Sequence, residues 1–571
     1  MKSTDLPLIV QSDRSMLLEA DHPSYEIARD ALSAFAEIIT SPEHYHTYRI
    51  TPLSLWNAAS AGWSAEEIIE TLREFSRYPI PQNIEYDIHE YVARYGRLKL
   101  LKEDDRLVLE SDDPLLLEQL MSDQRIRNHF EKKLSKRRVQ VKPSERGFLK
   151  QELIKKEFPV EDLAGYVEGA HLAINLRSRT GAGVPFELRP YQMQARQTFH
   201  QAGSVRGGSG VLVLPCGAGK TIIGIAIMQA ICQQTLIVVT NITALRQWRD
   251  ELIDKTDLTP EMIGEYSGEQ KEIKPVTITT YQILTYRKRK EDEFVHMNLF
   301  DREAWGLIIY DEVHLLPAPV FRAVANIQGK RRLGLTATLL REDGKESDVF
   351  SLIGPKKLDM PWKTLEKQGW IAQALCTEVR IPLPEQQRHE YAVADTKAKF
   401  RIASENEAKI QTARAIIQRH PGDQVLIIGQ YLNQLEKMAD EFEVPIITGK
   451  TANKDREEIY QGFKTGRIRM LIVSKVANFA VDLPDASVAI QISGTFGSRQ
   501  EEAQRLGRIL RPKGNGNMAH FYTLVTDDTR EREFAVRRQL FLTEQGYRYQ
   551  IVNDLDHIET EPATRTRGDI S

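Results

Sequence analysis

Leu214-Pro215-Cys216-Gly217-Ala218-Gly219-Lys220-Thr221 gives the strongest indication of the fold. The apolar run 210–214 that leads into it is typical of a buried strand, and residues 221–232 are typical of a helix. The glycines would then lie at a strand-to-helix turn, where backbone N–H groups and the helix N-terminus can bind phosphate. The pattern therefore predicts a nucleotide-binding α/β lobe.

The individual residues of this loop suit ATP and Mg²⁺. Gly217 and Gly219 lack the Cβ that would block a close approach, Lys220 can reach the β- and γ-phosphates, and the Thr221 hydroxyl can ligate Mg²⁺. We predict that the cofactor contacts of the loop come from Pro215, Cys216, Gly217, Ala218, Gly219, Lys220 and Thr221. Leu214 departs from the general pattern, which has glycine five residues before Gly219, so a purely structural turn is the alternative.

A second motif, Asp311-Glu312-Val313-His314, follows about ninety residues later. An apolar strand, 305–310, ends at Asp311, which places both carboxylates at the carboxyl edge of a parallel sheet, where ligands bind. We predict that Asp311 holds Mg²⁺ through its water shell and that Glu312 orients or deprotonates the attacking water. The two motifs together predict ATP hydrolysis.

Length, net charge and cysteine content exclude several classes of protein. The 571 residues are too many for one core and predict three or four domains. A net charge of −3 with 27% charged residues excludes a globally basic nucleic-acid binder, so such binding would need local patches. Three cysteines without CxxC spacing, and no apolar run long enough for a membrane span, predict a cytoplasmic protein.

Apolar strands alternate with helical patterns in two separate sets, which predicts two parallel sheets. The first set comprises 211–214, 235–240, 276–280, 307–310 and 333–336, and the second comprises 424–429, 444–448, 470–474, 488–493 and 519–525. Only the first contains a phosphate loop, so we expect the nucleotide to lie between two lobes. In the second, the string Gln504-Arg505-Leu506-Gly507-Arg508-Ile509-Leu510-Arg511 places Arg508 and Arg511 on successive helical turns. They are candidate arginine fingers, with a solvated basic helix face as the alternative.

Residues 188–525 resemble the XPB family of superfamily 2 DNA helicases. Leu188-Arg189-Pro190-Tyr191-Gln192 resembles the adenine-reading Q motif, which implies cofactor contacts from Arg189 and Gln192. Thr336-Ala337-Thr338 resembles motif III, and Arg341-Glu342-Asp343 resembles the RED motif that is implicated in opening the duplex. The resemblance implies a motor of two RecA-like lobes with 3′-to-5′ polarity.

The resemblance extends into the second lobe. Residues 474–484 follow the outline of motif V, in which Asp482 would contact the ribose or brace the arginines, although Ala477 replaces the usual glycine. Gln504 belongs with the two arginines in the catalytic set. The polar helical stretch 385–409 has the place of the family's thumb, a small insertion that grips DNA.

The N-terminal third predicts smaller modules. Thr51-Pro52 starts one helix, Ser64-Ala65-Glu66-Glu67 is a capping box for a second, and residues 81–95 form a third. Two short strands, 98–101 and 107–110, complete a winged-helix-like pattern. Because acidic residues are frequent here, we favour protein docking or packing against the motor over nucleic-acid binding for this module.

Residues 125–156 carry twelve lysines and arginines against three glutamates. By position they resemble the family's damage-recognition domain, and the strongest patch comprises Lys132, Lys133, Lys136, Arg137 and Arg138. Binding of DNA phosphates there would be sequence-independent and salt-sensitive. A solvated helix face is the alternative, and the smaller run 287–290 is predicted to be an exposed loop.

These inferences combine into one prediction of organisation and function. The predicted domains are a mostly helical winged-helix-like module (1–112), a small basic α/β domain (113–178), the first RecA-like lobe (179–375), the start of the second lobe with the thumb-like insertion (376–418), the second lobe (419–545) and a tail (546–571). The protein would be an ATP- and Mg²⁺-dependent DNA helicase, a monomeric motor on single-stranded, duplex or forked DNA in DNA repair. Two alternatives are a double-stranded DNA translocase and an ATP-gated scaffold that loads a partner nuclease.

Overall fold

The computed structural model describes residues 6–41, 44–215, 217–289, 292, 294–337, 344–370, 374–474, 486–493, 518–544, 549–553 and 555. The chain divides into two compact units, Met1–Pro361 and Trp362–Ser571. Among the described residues, each unit contains one seven-stranded parallel sheet, and the first also contains two smaller sheets. The predicted pair of parallel-sheet lobes is therefore confirmed.

The N-terminal part of the first unit combines four helices with a small antiparallel sheet. Its strands, in the order β1-β2-β4-β3, are β1 (Leu8–Val10), β2 (Ser15–Glu19), β3 (Glu37–Thr40) and β4 (Tyr45–Arg49). Its helices are α1 (Tyr25–Leu32), α2 (Pro52–Ser60), α3 (Ala65–Phe75) and α4 (Gln82–Arg94). Thr51 and Ser64 form the capping boxes of α2 and α3, as the sequence indicates. The four strands were not predicted, because each is only three to five residues long.

The hairpin predicted as a wing belongs to a different sheet. Its strands β5 (Leu98–Glu103) and β6 (Arg106–Ser111) join β7 (Phe130–Lys133), β8 (Arg138–Val141) and β9 (Val160–Asp162) in the order β7-β8-β6-β5-β9. The helices of this basic domain are α5 (Pro114–Ser122), α6 (Gln124–Arg127) and α7 (Arg146–Lys155). Leu100 and Leu109 share one core with Val139 and Leu153, so burial draws the hairpin into this sheet. The winged-helix interpretation is wrong in this respect, and a boundary at 112 would separate paired strands.

The first lobe is an all-parallel sheet with the strand order β12-β13-β11-β14-β15-β10-β16. Its strands are β10 (Ser209–Val213), β11 (Thr235–Val239), β12 (Ile263–Tyr266), β13 (Val276–Thr280), β14 (Leu307–Asp311), β15 (Arg331–Thr336) and β16 (Lys356–Asp359). Its helices are α8 (Pro190–His200), α9 (Lys220–Ile231), α10 (Ile242–Lys255), α11 (Tyr281–Leu284), α12 (Leu299–Arg302), α13 (Ala318–Asn326) and α14 (Glu346–Leu352). All five strands predicted for this lobe are present.

Helix α7 joins the basic domain to the first lobe. It packs against α13 and α14, and a Cβ on Gly147 would lie only 2.4 Å from the Ala325 carbonyl oxygen. Glycine therefore permits a backbone-to-backbone approach at this crossing. A shared apolar cluster joins the N-terminal module to α7 and the first lobe. It consists of Trp56, Ile154 and Phe350.

The second unit contains a parallel sheet with the order β19-β20-β18-β21-β22-β17-β23. Its strands are β17 (Ala374–Ile381), β18 (Val425–Gly429), β19 (Ile446–Ile447), β20 (Met470–Ser474), β21 (Val488–Gln491), β22 (Ala519–Thr526) and β23 (Tyr549–Val552). Its helices are α15 (Trp362–Lys367), α16 (Glu385–Val393), α17 (Thr396–Ser404), α18 (Ala408–Arg419), α19 (Leu432–Phe442), α20 (Asn453–Lys464) and α21 (Arg530–Glu544). The stretch predicted as a thumb is a helical pair, α16 and α17, and its grip on DNA stays a prediction.

A buried ion pair lies at the centre of this unit. Lys409 and Glu531 are both fully buried, with Nζ 2.7 Å from Oε2. The Lys409 ammonium also donates to the Ile492 carbonyl at 2.9 Å, and Glu531 accepts a hydrogen bond from the Thr526 amide at 2.9 Å. The pair thus joins α18 to α21 and to the ends of β21 and β22.

Removing one charge of this pair should destabilise the second unit. We expect Glu531→Gln to remove the carboxylate charge that faces the buried Lys409 ammonium, at a cost of about 3–5 kcal/mol. Urea unfolding of the full chain would measure the loss, and hydrogen exchange of the β21 and β22 amides would assign it to this unit. Glu407→Gln, which breaks the exposed pair of Glu407 and Lys437, is the control and should change neither measurement. Equal stability of Glu531→Gln and the control would contradict a structural role for the buried pair.

Candidate nucleotide site

The phosphate loop connects β10 to α9. Gly217 and Gly219 both have left-handed backbones, with φ of 82° and 75°, and Gly219 is the N-cap of α9. This conformation favours glycine and leaves the first amides of α9 available to an anion. Leu214 is fully buried and its amide donates to the Thr336 carbonyl at 2.9 Å. Its side chain therefore packs into the core, which explains why glycine is not required there.

Helix α8 supports the loop from one side. The Tyr191 hydroxyl donates to the Ala218 carbonyl at 2.7 Å, and Gln192 Nε2 donates to the same oxygen at 3.3 Å. Gln192 Oε1 accepts a hydrogen bond from the Arg189 amide at 3.0 Å. The structure thus places Arg189 and Gln192 beside the loop, while their contact with a base stays a prediction. Tyr191 lies within the quoted motif, but its contact with the loop was not predicted.

The carboxylates of the second motif lie at the end of β14. Glu312 Oε1 is 2.9 Å from Lys220 Nζ, so the two motifs meet in the structure as the sequence predicts. Glu312 has φ of 51°, an uncommon left-handed conformation for a side chain with a Cβ, as found at functional sites. His314 Nδ1 lies 3.6 Å from Glu312 Oε2 and 2.7 Å from Thr336 Oγ1. His314 therefore links the acidic pair to the end of β15.

Burial and charge set the protonation of the two acids. Burial, followed by the neighbouring Glu312 carboxylate, raises the pKa of Asp311 to about 6. Burial also opposes ionisation of Glu312, but the charges of Lys220 and His314 outweigh it and lower the pKa of Glu312. Both groups are therefore mainly ionised at pH 7, which is the form that a metal ligand and a general base require.

Asp311 is held by donors that the sequence did not identify. Trp248 Nε1 donates to Oδ2 at 2.9 Å, and the Glu312 amide donates to Oδ1 at 3.1 Å. The Tyr281 hydroxyl donates to the Asp311 main-chain carbonyl at 3.0 Å. Trp248 belongs to α10 and Tyr281 begins α11, so their approach to Asp311 depends on tertiary packing and leaves no local pattern in the sequence.

Several predicted site residues lie outside the described residues. They are Cys216 of the phosphate loop, Arg341, Glu342 and Asp343 of the RED motif, Asp482 of motif V, and Gln504, Arg508 and Arg511. Their roles stay predictions.

The basic patch forms a β-hairpin rather than a helix face. Lys132 and Lys133 lie on β7, Lys136 and Arg137 lie in the exposed connection, and Arg138 begins β8. Arg138 pairs with Glu103, at 2.9 Å, and with Glu110. Lys132, Lys136 and Arg137 are exposed to solvent.

The positive charge of the basic segment is divided between surface and interior. Arg146 and Lys150 are buried against Asp162, at 2.7 and 2.8 Å. Part of the basic excess of the segment therefore stabilises the domain itself, while Lys132, Lys136 and Arg137 of the hairpin present positive charge to solvent.

Two known proteins are similar to this chain over almost its whole length. DNA 3′-5′ helicase XPB of Kineococcus radiotolerans is 52% identical over 557 residues, which is 97% of this chain and 98% of that protein. The protein of the same name from Mycobacterium tuberculosis is 52% identical over 97% of this chain and 99% of its own length. This chain belongs to the XPB family.

Further matches agree with the XPB assignment. The family model described as ERCC3/RAD25/XPB C-terminal helicase matches residues 365–568. Models described as helicase conserved C-terminal domain and as type III restriction enzyme, res subunit, match residues 8–135 and 185–341. The XPB subunit of general transcription and DNA repair factor IIH from Enterocytozoon bieneusi is 33% identical over 98% of this chain and 95% of that protein. Among the described residues, no helix is long and apolar enough to cross a membrane.

The loop geometry generates a prediction about Gly219. A Cβ there would lie 2.8 Å from Gln192 Nε2, and the left-handed backbone disfavours other residues by about 1–2 kcal/mol. We expect Gly219→Ala to weaken ADP binding by about tenfold or more, because that energy corresponds to roughly one decade in affinity. Equilibrium binding of a fluorescent ADP would measure this. Gly268→Ala, in open space on the same lobe, is the control and should bind ADP normally. Wild-type affinity in Gly219→Ala would mean that the loop does not hold the phosphates.

Proposed function

We propose that this XPB-family protein is an ATP-dependent DNA helicase that moves in the 3′-to-5′ direction. The observation that carries the proposal is the 2.9 Å contact of Lys220 with Glu312, beside the phosphate loop of a RecA-like lobe. The two 52% identical relatives are named DNA 3′-5′ helicases, which supports DNA as the substrate and 3′-to-5′ as the polarity. In this proposal, ATP hydrolysis supplies the energy for movement along DNA.

The residues present suit Mg²⁺ bound together with a nucleotide. Among the described residues, no group of three or more His, Cys, Asp or Glu side chains could hold a metal by itself. Mg²⁺ in nucleotide enzymes is bound by one or two protein oxygens together with phosphate and water. Thr221 would supply such an oxygen, and Asp311 would hold the ion through its water shell. When bound, the ion neutralises charge on the β- and γ-phosphates.

The other predicted site residues have separate roles in the proposed reaction. Water attacks the γ-phosphorus, the bond to the β–γ bridging oxygen breaks, and Glu312 orients the water and accepts its proton. Lys220 balances negative charge on the phosphates, and Arg189 and Gln192 position the base. Gln504, Arg508 and Arg511 act on the transferring phosphoryl group, with Asp482 bracing them or binding the ribose. Arg341, Glu342 and Asp343 act in strand opening.

The decisive test removes the proton acceptor. Glu312→Gln should bind ATP as tightly as wild type but hydrolyse it orders of magnitude more slowly, with and without DNA, because only the group that handles water is lost. ATPase assays and equilibrium nucleotide binding would measure the two effects. Lys220→Ala is the comparison, since it should lose both binding and turnover. Normal turnover by Glu312→Gln would show that another carboxylate is the base.

Unwinding and duplex translocation are separable activities. The relative from Enterocytozoon bieneusi is named a helicase/translocase subunit, so translocation on duplex DNA without strand separation is the second candidate. A strand-displacement assay on forked DNA detects unwinding, and displacement of a triplex-forming strand detects translocation alone. An ATP-gated scaffold that loads a nuclease would keep its function in Glu312→Gln, whereas a motor would lose it.

We further propose that the exposed side of the β7–β8 hairpin binds DNA phosphates. Lys132→Ala, Lys136→Ala and Arg137→Ala together should weaken duplex binding and reduce the slope of log affinity against log salt by about 0.9 per lost contact. The matched control replaces Arg287, Lys288 and Arg289, an exposed run with the same charge on the first lobe. Dissociation constants at several salt concentrations would give the slopes, and ATPase activity without DNA should stay unchanged. Equal slopes for wild type and the hairpin variant would reject this surface.

Oligomeric state, cellular location and protein partner complete the proposed function. We propose a monomeric motor that acts in the cytoplasm, where chromosomal DNA is accessible in bacteria, and that cooperates with a nuclease partner. Sedimentation at assay concentrations would test the monomer, and co-purification of nuclease activity would test the partner.

A further inference from the structure

Trp248 is buried in the first lobe with its polar atom directed at the acidic pair. Its side chain is 1% exposed, and its Nε1 donates to Asp311 Oδ2 at 2.9 Å. A buried indole N–H needs an acceptor, but most acceptors in a core are neutral main-chain carbonyls. Here the acceptor is a carboxylate, and a charge-assisted hydrogen bond is stronger than a neutral one.

The indole position is fixed by a glycine on the neighbouring helix. Gly224 lies in the middle of α9, where glycine costs about 1 kcal/mol relative to alanine. A Cβ at this position would lie 2.5 Å from Trp248 Cη2. The absence of a side chain on α9 therefore creates the space that lets the indole reach Asp311.

The donors around Asp311 leave its carboxylate little freedom to rotate. One oxygen accepts from Trp248, the other accepts from the Glu312 amide, and Tyr281 holds the main-chain carbonyl. Each carboxylate oxygen has a second acceptor direction. These directions are available to water molecules of a hydrated Mg²⁺ ion.

We propose that Trp248 is a positioning residue for Mg²⁺: its indole N–H orients the Asp311 carboxylate for the hydrated ion, and Gly224 keeps the indole in place. Hydrogen-bond donors to a metal-binding side chain typically change metal affinity by about 10–100-fold when they are removed. This inference rests on the proposed role of Asp311 in Mg²⁺ binding.

The first test removes the N–H and keeps an aromatic ring. Trp248→Phe should raise the Mg²⁺ concentration that gives half-maximal ATPase activity by about tenfold or more. At saturating Mg²⁺, kcat should return to within a few-fold of wild type. ADP affinity in excess EDTA should be unchanged, while the gain in ADP affinity on adding Mg²⁺ should shrink, a readout that does not depend on catalysis.

A matched control separates orientation of Asp311 from simple loss of stability. Trp305 is also 1% exposed in this lobe, and its Nε1 donates at 2.9 Å to the main-chain carbonyl of Leu299. Trp305→Phe removes an equivalent buried hydrogen bond, but it should leave the Mg²⁺ requirement at the wild-type value. An equal shift in both variants would overturn the proposal.

A second variant keeps the indole but displaces it. Gly224→Ala adds the Cβ that conflicts with Trp248 Cη2, and it should raise the Mg²⁺ requirement although it improves helix propensity. It tests the contact independently if Trp248→Phe does not fold. A wild-type gain in ADP affinity from Mg²⁺ in both Trp248→Phe and Gly224→Ala would overturn the proposal.

Asp311→Asn distinguishes this inference from the proposed function. If Asp311→Asn loses the Mg²⁺-dependent gain in ADP affinity and Trp248→Phe does not, only the role of Trp248 fails. If Asp311→Asn keeps that gain, the assignment of the metal site itself fails.

Discussion

The ion pair of Lys220 and Glu312 is the interaction on which the first lobe's chemistry depends. The two residues follow strands β10 and β14, which flank β15 in the sheet. Because all three strands are parallel, their carboxyl ends meet at one edge, and a lysine and a glutamate 92 residues apart come within 2.9 Å. A change of strand order would separate them even with every local motif intact.

The surroundings of this pair show how a buried charged site is kept stable. Lys220 and Glu312 compensate each other, Trp248 donates to Asp311, and His314 joins Glu312 to Thr336. Buried charges without partners are costly, so each contact lowers the cost of keeping two carboxylates side by side. The left-handed backbone of Glu312 is a local strain that this network sustains.

The N-terminal modules pack against the first lobe and form one compact unit with it. The close approach of α7 to α13 and the cluster of Trp56, Ile154 and Phe350 join three substructures. The basic hairpin belongs to the same compact unit as the phosphate loop.

The sequence by itself determined the two parallel sheets, the phosphate loop, the acidic pair and the caps of α2 and α3. These features depend on apolar runs, glycines and capping residues that are close together in the chain, so local physics is sufficient to predict them. Only the tertiary structure decided that the 98–111 hairpin joins the basic domain, because either sheet could have buried Leu100 and Leu109. It also decided that Trp248 and Tyr281 meet Asp311, since these contacts join distant residues and leave no periodicity in the sequence.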